Sequence, residues 1–211
     1  MEKLDIIDIY DQDGNHMGTE DRGVVHRDAL WHKTVHAWVV RNRKDIVFQR
    51  RAKAMLDNPG KLYTTASGHV NAGETLEKAI LRELDEEVGL NPSAGSMEKL
   101  FTARYVGDFL KTDGTQFRDR AFVEKFVVFD DTPIEEYRMP QDVLDGVACF
   151  NMRGLMQLFQ ERRVSLEGQE LVGGRVVPVV VTCGEFLTTG GATCLETFGP
   201  VVEAILQKVG P

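Results

Sequence analysis

A glutamate-rich segment, residues 74–88, constrains the fold of this chain more than any other stretch. Its apolar residues recur at helical spacing and form one stripe: Leu76, Ile80, Leu84 and Val88. Gly89 follows in a position that typically ends a helix. Glu83 and Glu87 each stand one heptad after a member of the stripe, and Glu86 lies beside Glu83 on the helix surface. The segment therefore predicts a helix over 74–88 that turns carboxylates toward its buried edge.

Crowded carboxylates on such a helix predict a bound cation. The acids concerned are Glu83, Glu86 and Glu87. Like charges at this spacing repel each other unless a positive charge lies between them, and a purely oxygen donor set favours Mg²⁺ or Mn²⁺ over zinc. Arg82 can anchor a neighbouring carboxylate such as that of Glu74. Gly68 and Gly73 let the preceding backbone approach a ligand closely. A surface helix whose acids merely face water explains the overlap with the apolar stripe less well.

The spacing of these residues resembles the Nudix box. From Gly68 the chain reads Gly, five residues, Glu, seven residues, then Arg-Glu-apolar-any-Glu-Glu-any-Gly-apolar. Every specified position is met: Gly68, Glu74, Arg82, Glu83, Leu84, Glu86, Glu87, Gly89 and Leu90. The order of predicted strands around the box is also similar to that of the family. The resemblance implies an α/β (α+β) fold, an αβα sandwich with a mixed central sheet.

The resemblance also implies roles for the acids. The expected metal ligands are Glu83, Glu86, Glu87 and the carbonyl group of Gly68. Arg82 is expected to orient these carboxylates, and Mg²⁺, or Mn²⁺ in its place, would neutralise diphosphate oxygens and orient the attacking water. Members of the family differ in the carboxylate that serves as general base. Glu83 is one candidate, and Glu124 on a predicted strand is another, either as base or as a further metal ligand.

The activity implied by the resemblance is magnesium-dependent hydrolysis of the diphosphate linkage in a nucleoside diphosphate derivative, a small-molecule substrate. Two alternatives stay open. One is an isopentenyl-diphosphate isomerase-like enzyme, and the other is a Nudix-fold module that senses a nucleotide without catalysis. A sensing module would be expected to lose box carboxylates, and none is missing here.

The stretch before the box is similar to the isopentenyl-diphosphate isomerase-like branch of the superfamily. The residues that carry this likeness are Ile6, Asp8, Tyr10, Gly14, His26-Arg27, His32, Trp38 and Arg50-Arg51-Ala52. In isomerases a catalytic cysteine precedes the Gly-His pair, and histidines with glutamates bind a separate metal. Here Ser67 precedes the pair, and serine cannot replace a thiol of pKa ~8.5. This departure argues against isomerisation, and whether His26, His32 and His69 bind a second metal stays open.

A basic segment, residues 41–53, contrasts with the acidic character of the whole chain. It holds six cationic residues and one acid, which could simply be a solvated hairpin edge protected by charge. Arg50 and Arg51 end a predicted strand near the box, where guanidinium groups suit bidentate contact with phosphate. Neighbours on a strand point to opposite faces, so only one can reach the substrate. We favour Arg51.

Charge and composition exclude other classes of function. The chain has 211 residues and a formal net charge of −8, which argues against a long nucleic-acid footprint. No apolar run approaches the ~20 residues that are needed to cross a bilayer, and the N-terminus does not read as a secretion signal. The three cysteines show no CxxC spacing. Reduced thiols in the cytoplasm are therefore expected.

Residues 1–160 are expected to form the catalytic domain, which opens with a β-hairpin whose first strand covers 4–10. Further strands are predicted over 35–40, 46–49, 62–66, 101–106, 121–129 and 147–150. Asn151 is expected to cap a helix that reaches Phe159.

Residues 161–211 are expected to be a C-terminal extension packed on the same domain. It should contain an edge strand over 176–181 and a helix over 194–209 that Pro200 interrupts or kinks. The extension could supply a homodimer interface, a substrate lid or additional core, and the sequence does not distinguish these.

Overall fold

The computed structural model describes residues 5–55, 58–110, 114–140, 143–188 and 190–210. Within them the strands are β1 (Ile6–Tyr10), β2 (His16–Asp21), β3 (Trp31–Arg41), β4 (Asp45–Arg51), β5 (Leu62–Tyr63), β6 (Ala66–His69), β7 (Met97–Leu110), β8 (Gln116–Phe129), β9 (Leu144–Asn151), β10 (Leu166–Val172) and β11 (Arg175–Val181). The helices are α1 (Arg22–Asp28), α2 (Leu76–Val88), α3 (Met152–Phe159) and α4 (Cys194–Val209). Short 3₁₀ turns cover Ala94–Ser96, Ile134–Glu136 and Cys183–Glu185.

All eleven strands belong to one mixed sheet, in which β3 and β8 are parallel. Its main order is β11-β10-β9-β4-β3-β1-β2, with β5 against β4, β6 and β8 against β3, and β7 against β8. β3 and β4 pair only at their hairpin end, Val40–Arg41 with Asp45–Ile46. Beyond that point β5 pairs with β4 and β6 pairs with β3. The two long strands therefore separate, and we call the space between β4–β5 and β3–β6 the gap.

Helices cover both faces of this sheet, which confirms the predicted αβα sandwich. On one face α2 packs its buried Ile80, Leu84 and Val88 against strand residues such as Val35 and Val128. On the other face α3 and α4 cover an aromatic core: Trp38, Phe48, Phe150, Phe159, Phe186 and Phe198. Residues that alternate along a strand supply the two cores in turn, as a sheet buried on both sides requires.

The boundaries of α2 correct one prediction. The helix begins at Leu76, not at Glu74, because the Thr75 side chain accepts a hydrogen bond from the Lys78 N–H at 3.3 Å and caps the first turn. Glu74 lies in the preceding turn, where its Oε2 accepts from the Asn71 N–H at 3.0 Å. The end is as predicted, since Gly89 has a φ of 69° and follows the last helical residue.

Other elements depart from the sequence expectations mainly in length. The predicted opening strand included Leu4, which lies outside the described residues, and the predicted strand over 62–66 is divided into β5 and β6. Asn151 caps α3 as predicted, by accepting from the Gly154 N–H at 3.0 Å. Helix α4 runs through Pro200 without interruption. Helix α1 was not anticipated.

The C-terminal elements share the sheet and the core with the rest of the chain. β10 pairs with β9, and β11, which carries Pro178, lies at the sheet edge as predicted. Phe198 of α4 contacts Trp38 and Phe48. The division of the chain at residue 160 stays a prediction. None of the helices described is both long and apolar enough to cross a membrane.

Candidate active site

The acids of α2 lie against β6 at the edge of the gap. Glu83 is 8% exposed, and its carboxylate lies directly over Gly68. A β-carbon on Gly68 would overlap this carboxylate, so only glycine allows the helix and the strand to approach so closely at this point. Glu86, by contrast, has a side chain that is 59% exposed. Helix α2 thus carries a buried acid, Glu83, and an exposed acid, Glu86, side by side on its surface.

Arg82 links the carboxylates of the box to one another. Its guanidinium donates to both carboxylate oxygens of Glu74, at 3.0 and 2.9 Å. It also donates to Glu83 Oε1 at 2.6 Å, to Glu86 Oε2 at 3.3 Å and to the His69 carbonyl at 2.8 Å. Hydrogen bonding to Glu74 in particular raises the pKa of Arg82 above its ordinary value. Arg82 therefore fixes the orientation of three acids, as the sequence predicted for at least one of them.

Glu87 closes the cluster on the side of β4. Its Oε2 accepts from the Ser67 N–H at 2.9 Å and from Gln49 Nε2 at 3.3 Å. Burial raises the pKa of Glu87 to about 8 and also raises the pKa of Glu83. Such a raised pKa indicates that the nearby positive charge does not fully offset the burial of the anionic form. A divalent cation would supply that charge, and the hard oxygen donors of these residues fit Mg²⁺ or Mn²⁺.

The two arginines at the end of β4 point in different directions. The charge of Arg51 lies close enough to Glu87 to lower the pKa of that carboxyl, in partial opposition to burial. Arg50 instead forms a bidentate ion pair with Glu170 of β10 and donates to the Gly60 carbonyl at 3.1 Å. Strand alternation turns Arg50 toward Glu170, and a contact of Arg50 with the substrate stays a prediction.

Glu124 lies in the same cross-strand row as Gly68, two strands away. Val35 separates them, since it pairs with Gly68 on β6 and with Glu124 on β8. The carboxylate of Glu124 is buried and accepts hydrogen bonds from Thr102 Oγ1 and Lys99 Nζ, both at 2.7 Å. Within the described part of the chain, no hydrogen bond or ion pair joins it to an acid of the box or to Arg82.

Three histidines meet on the sheet face opposite α2. The ligand atoms of His26, His32 and His69 all lie within 4.8 Å of one another, and the Nε2 atoms of His26 and His69 are 3.0 Å apart. Asp119 Oδ1 lies 3.4 Å from His32 Nε2. Burial lowers the pKa of His69 to about 2 and raises that of Asp119 to about 6. The cluster has the donors of a transition-metal site.

Two neighbours of these groups were missed at the sequence level. Gln49, the partner of Glu87, precedes Arg51 by two residues on β4, so strand alternation could have placed it on the same face. Asp119, the acid beside the histidines, stands in a polar stretch with no spacing signal, and only the pairing of β8 with β3 brings it to His32.

Helix α2 places its glutamates and Arg82 over Gly68 of strand β6, inside an αβα sandwich. This arrangement is typical of a Nudix domain. The NUDIX domain family model matches residues 30–167, and the chain belongs to the Nudix family. An uncharacterised Nudix hydrolase of Clostridium acetobutylicum is 26% identical over 164 residues, which is 75% of each chain. Nudix hydrolase 3 of Arabidopsis thaliana is 28% identical over 144 residues, 66% of this chain but 18% of that protein.

Further likenesses extend to an isomerase and to a solved fold. An isopentenyl-diphosphate Δ-isomerase of Corynebacterium diphtheriae is 30% identical over 92 residues, 43% of this chain and 50% of that protein. A crystal structure of a Deinococcus radiodurans protein superposes with a TM-score of 0.55 at 18% identity, covering 74% of this chain and 89% of the other. That likeness concerns the fold. Together with the family match, the relatives make this chain an enzyme of the Nudix hydrolase class.

Proposed function

We propose that this Nudix hydrolase uses Mg²⁺ to cleave the diphosphate linkage of a nucleoside diphosphate derivative, a small-molecule substrate. The observation that carries the proposal is the cluster of Glu83, Glu86 and Glu87, two of which have a raised pKa because burial outweighs the effect of the nearby arginines. These acids and the Gly68 carbonyl would hold the cation, and Mn²⁺ could take its place. A bound cation would neutralise diphosphate oxygens and make the attacking water more acidic.

The other residues of the site position the reactants. Arg82 holds the carboxylates in place through four hydrogen bonds and donates a fifth to the His69 carbonyl. Arg51 ends β4 near Glu87, where its guanidinium can bind a substrate phosphate in bidentate fashion. As general base we favour Glu83, since burial raises the pKa of its carboxyl above the ordinary value and so makes it a stronger proton acceptor. Glu124, the other candidate, is already neutralised by Lys99.

The isomerase-like alternative is supported by one observation, the cluster of His26, His32 and His69. In isomerases, histidines together with glutamates bind a separate metal, and the Corynebacterium diphtheriae isomerase is a relative of this chain. Against it stands Ser67, which occupies the place of the isomerase cysteine. The sensing module is disfavoured because the box retains all of its acids. A cytoplasmic location and a homodimer remain predictions.

The deciding experiment is a screen of nucleoside diphosphate derivatives with Mg²⁺ in which both products of each reaction are identified. Glu87→Gln should reduce turnover by at least about 100-fold, because it removes one charge from the metal ligands. Asp85→Asn is the matched control, since Asp85 is an exposed acid of the same helix that bonds Asn91. Near wild-type turnover by the Glu87 variant would refute the metal-helix mechanism.

The same preparation separates the two enzymatic alternatives. Incubation with isopentenyl diphosphate in deuterated water tests the isomerase, which would incorporate deuterium without release of phosphate. Hydrolysis instead releases a phosphorylated product and leaves carbon-bound hydrogen unexchanged. Deuterium incorporation by the wild type, abolished by removing the imidazoles of the histidine cluster, would favour the isomerase over the proposal.

A further inference from the structure

Lys125 is a half-buried cation that the proposed mechanism does not use. It lies on β8 between Val123 and Val127, its apolar neighbours on the same strand face. Burial lowers the pKa of its ammonium group. Its contact is the Phe101 ring, whose centroid is 5.4 Å from Nζ, and no carboxylate pairs with it among the described residues. A cation held between valines without a counter-charge is costly unless a ligand compensates it.

Strand pairing connects Lys125 to the acids of the box. His36 of β3 pairs with Lys125 on one side and with Ser67 of β6 on the other. We call Ser67, His36 and Lys125 the lysine row; its members share one sheet face, opposite α2. The near end of the row is anchored at the box, because the Ser67 N–H donates to Glu87. Two strand spacings put its ends ~10 Å apart.

Tyr63 joins the lysine row to the gap. Its hydroxyl lies 3.4 Å from His36 Nε2, and the two rings meet edge to face at 5.4 Å. The charges of Arg51, Asp119 and Glu87 all reach the Tyr63 phenol and shift its pKa, in addition to the larger effects of burial and of Tyr105. The groups that hold the diphosphate in the proposed function and the lysine row therefore both lie near Tyr63.

Lys125 is the cation of this path, and two acids, Glu87 and Asp119, lie within electrostatic reach of Tyr63. Burial lowers the pKa of His36 to about 3 and raises the pKa of Tyr63, so both groups are neutral at pH 7. Asp119, an acid on the same face of β8, lies six residues from Lys125, ~20 Å along the strand, and faces His32. Lys125 thus supplies the one cationic charge of the row, with neutral hydrogen-bonding groups beside it.

We propose that the lysine row, with Tyr63, is a subsite for a second anionic group of the substrate, a phosphate or a carboxylate separate from the diphosphate. Lys125 is its counter-charge, and His36 and Tyr63 are its neutral hydrogen-bond partners. The inference rests on the proposed function, because the diphosphate site at Glu87 and Arg51 fixes where the row begins. It narrows the substrate class to nucleoside diphosphate derivatives that carry a further negative group ~10 Å from the scissile linkage.

Matched substrate pairs test the inference. UDP-glucuronate differs from UDP-glucose by one carboxylate, and coenzyme A differs from its 3′-dephospho form by one phosphate, so the two pairs distinguish the sources of charge. The wild type should prefer the more anionic member of at least one pair by about tenfold or more in kcat/KM. Lys125→Met should remove the preference and leave the rate on the less anionic member within about twofold. Lys125→Arg should retain it.

The control is Lys33→Met, which removes a half-buried lysine that contacts the Tyr10 ring on the other face of the sheet. If Lys125→Met lowers kcat/KM equally on both members of a substrate pair, the role of Lys125 is structural and the inference is overturned. The absence of any preference in the wild type would also overturn it.

A binding measurement keeps the test independent of turnover. By calorimetric titration with inorganic phosphate, the wild type should bind two phosphates, Lys125→Met one and Arg51→Met one. If no diphosphate is cleaved, the proposed function fails, but this titration still shows whether Lys125 contributes to a phosphate-binding site. Unchanged phosphate binding in Lys125→Met would overturn it.

Discussion

Replacement of Gly68 by alanine should disable the site while leaving the fold intact. Gly68 lies on β6 beneath Glu83. An added β-carbon would overlap Oε1 and Cδ of that glutamate and would lie 2.5 Å from Oε2, whereas ordinary contact begins at 3.4 Å. The carboxylate must therefore move by about 1 Å or more. Because it is the end of a flexible side chain and not backbone, helix and strand can keep their places.

The size of the effect follows from what Glu83 loses. Its 2.6 Å hydrogen bond to Arg82 Nη1 would be broken, and its oxygens would leave the position shared with the other acids. Misplacement of a catalytic group by 1 Å can reduce turnover by about 100-fold. The lost hydrogen bond, which joins two charged groups, should lower the free energy of unfolding by about 3 kcal/mol at most. Turnover should thus fall about 100-fold in a protein that stays folded.

The assay combines kcat/KM with the dissociation constant for Mg²⁺, determined by calorimetric titration, and with urea denaturation. Gly95→Ala is the matched control, because a β-carbon there would meet no atom within 4 Å and its φ is not in the left-handed region. The control should stay within about twofold of the wild type in both constants. Wild-type turnover and magnesium affinity in Gly68→Ala would refute the assignment of Glu83 to the metal site.

Two further predictions concern neighbouring groups. Arg51→Met should raise KM about tenfold by loss of a phosphate contact. Arg50→Met should instead lower the free energy of unfolding by about 3 kcal/mol, because it leaves Glu170 buried and unpaired. Kinetics and denaturation of both variants check these expectations, and the reverse pattern would contradict them. Between pH 7 and pH 5 the unfolded chain protonates His36 but the folded chain, with a pKa of about 3, does not. Stability should fall by about 2 kcal/mol from this group over that window, and His36→Gln should show a correspondingly shallower pH dependence.

Local sequence rules predicted the box helix because its signals act within one segment. The apolar stripe, the terminal Gly89 and the grouping of acids all depend on helical periodicity. The error at the start of α2 had a local cause as well. Thr75 competes with Glu74 for the capping position, and its hydroxyl reaches the Lys78 N–H while the Glu74 side chain is held by Asn71 and Arg82.

The remaining features depend on strand pairing, which a single sequence does not reveal. Arg50 and Arg51 are adjacent and chemically equal, and only the position of Glu170 on β10 assigns Arg50 to an ion pair. Likewise, Lys125 is separated from His36 by 89 residues and from Ser67 by 58. Their meeting requires the parallel pairing of β8 with β3 and the antiparallel pairing of β6 with β3.

Ser67 shows why the box alone does not determine chemistry in this fold. Its backbone N–H binds Glu87 on the side of α2, and any residue at this position could supply that donor. Its side chain belongs to the opposite face, in register with His36. The acid cluster can therefore be kept while the residue at position 67, and the strand residues in its row, change what the other face binds. Under the proposed function, the face toward α2 would hold the diphosphate and the opposite face would select the group attached to it.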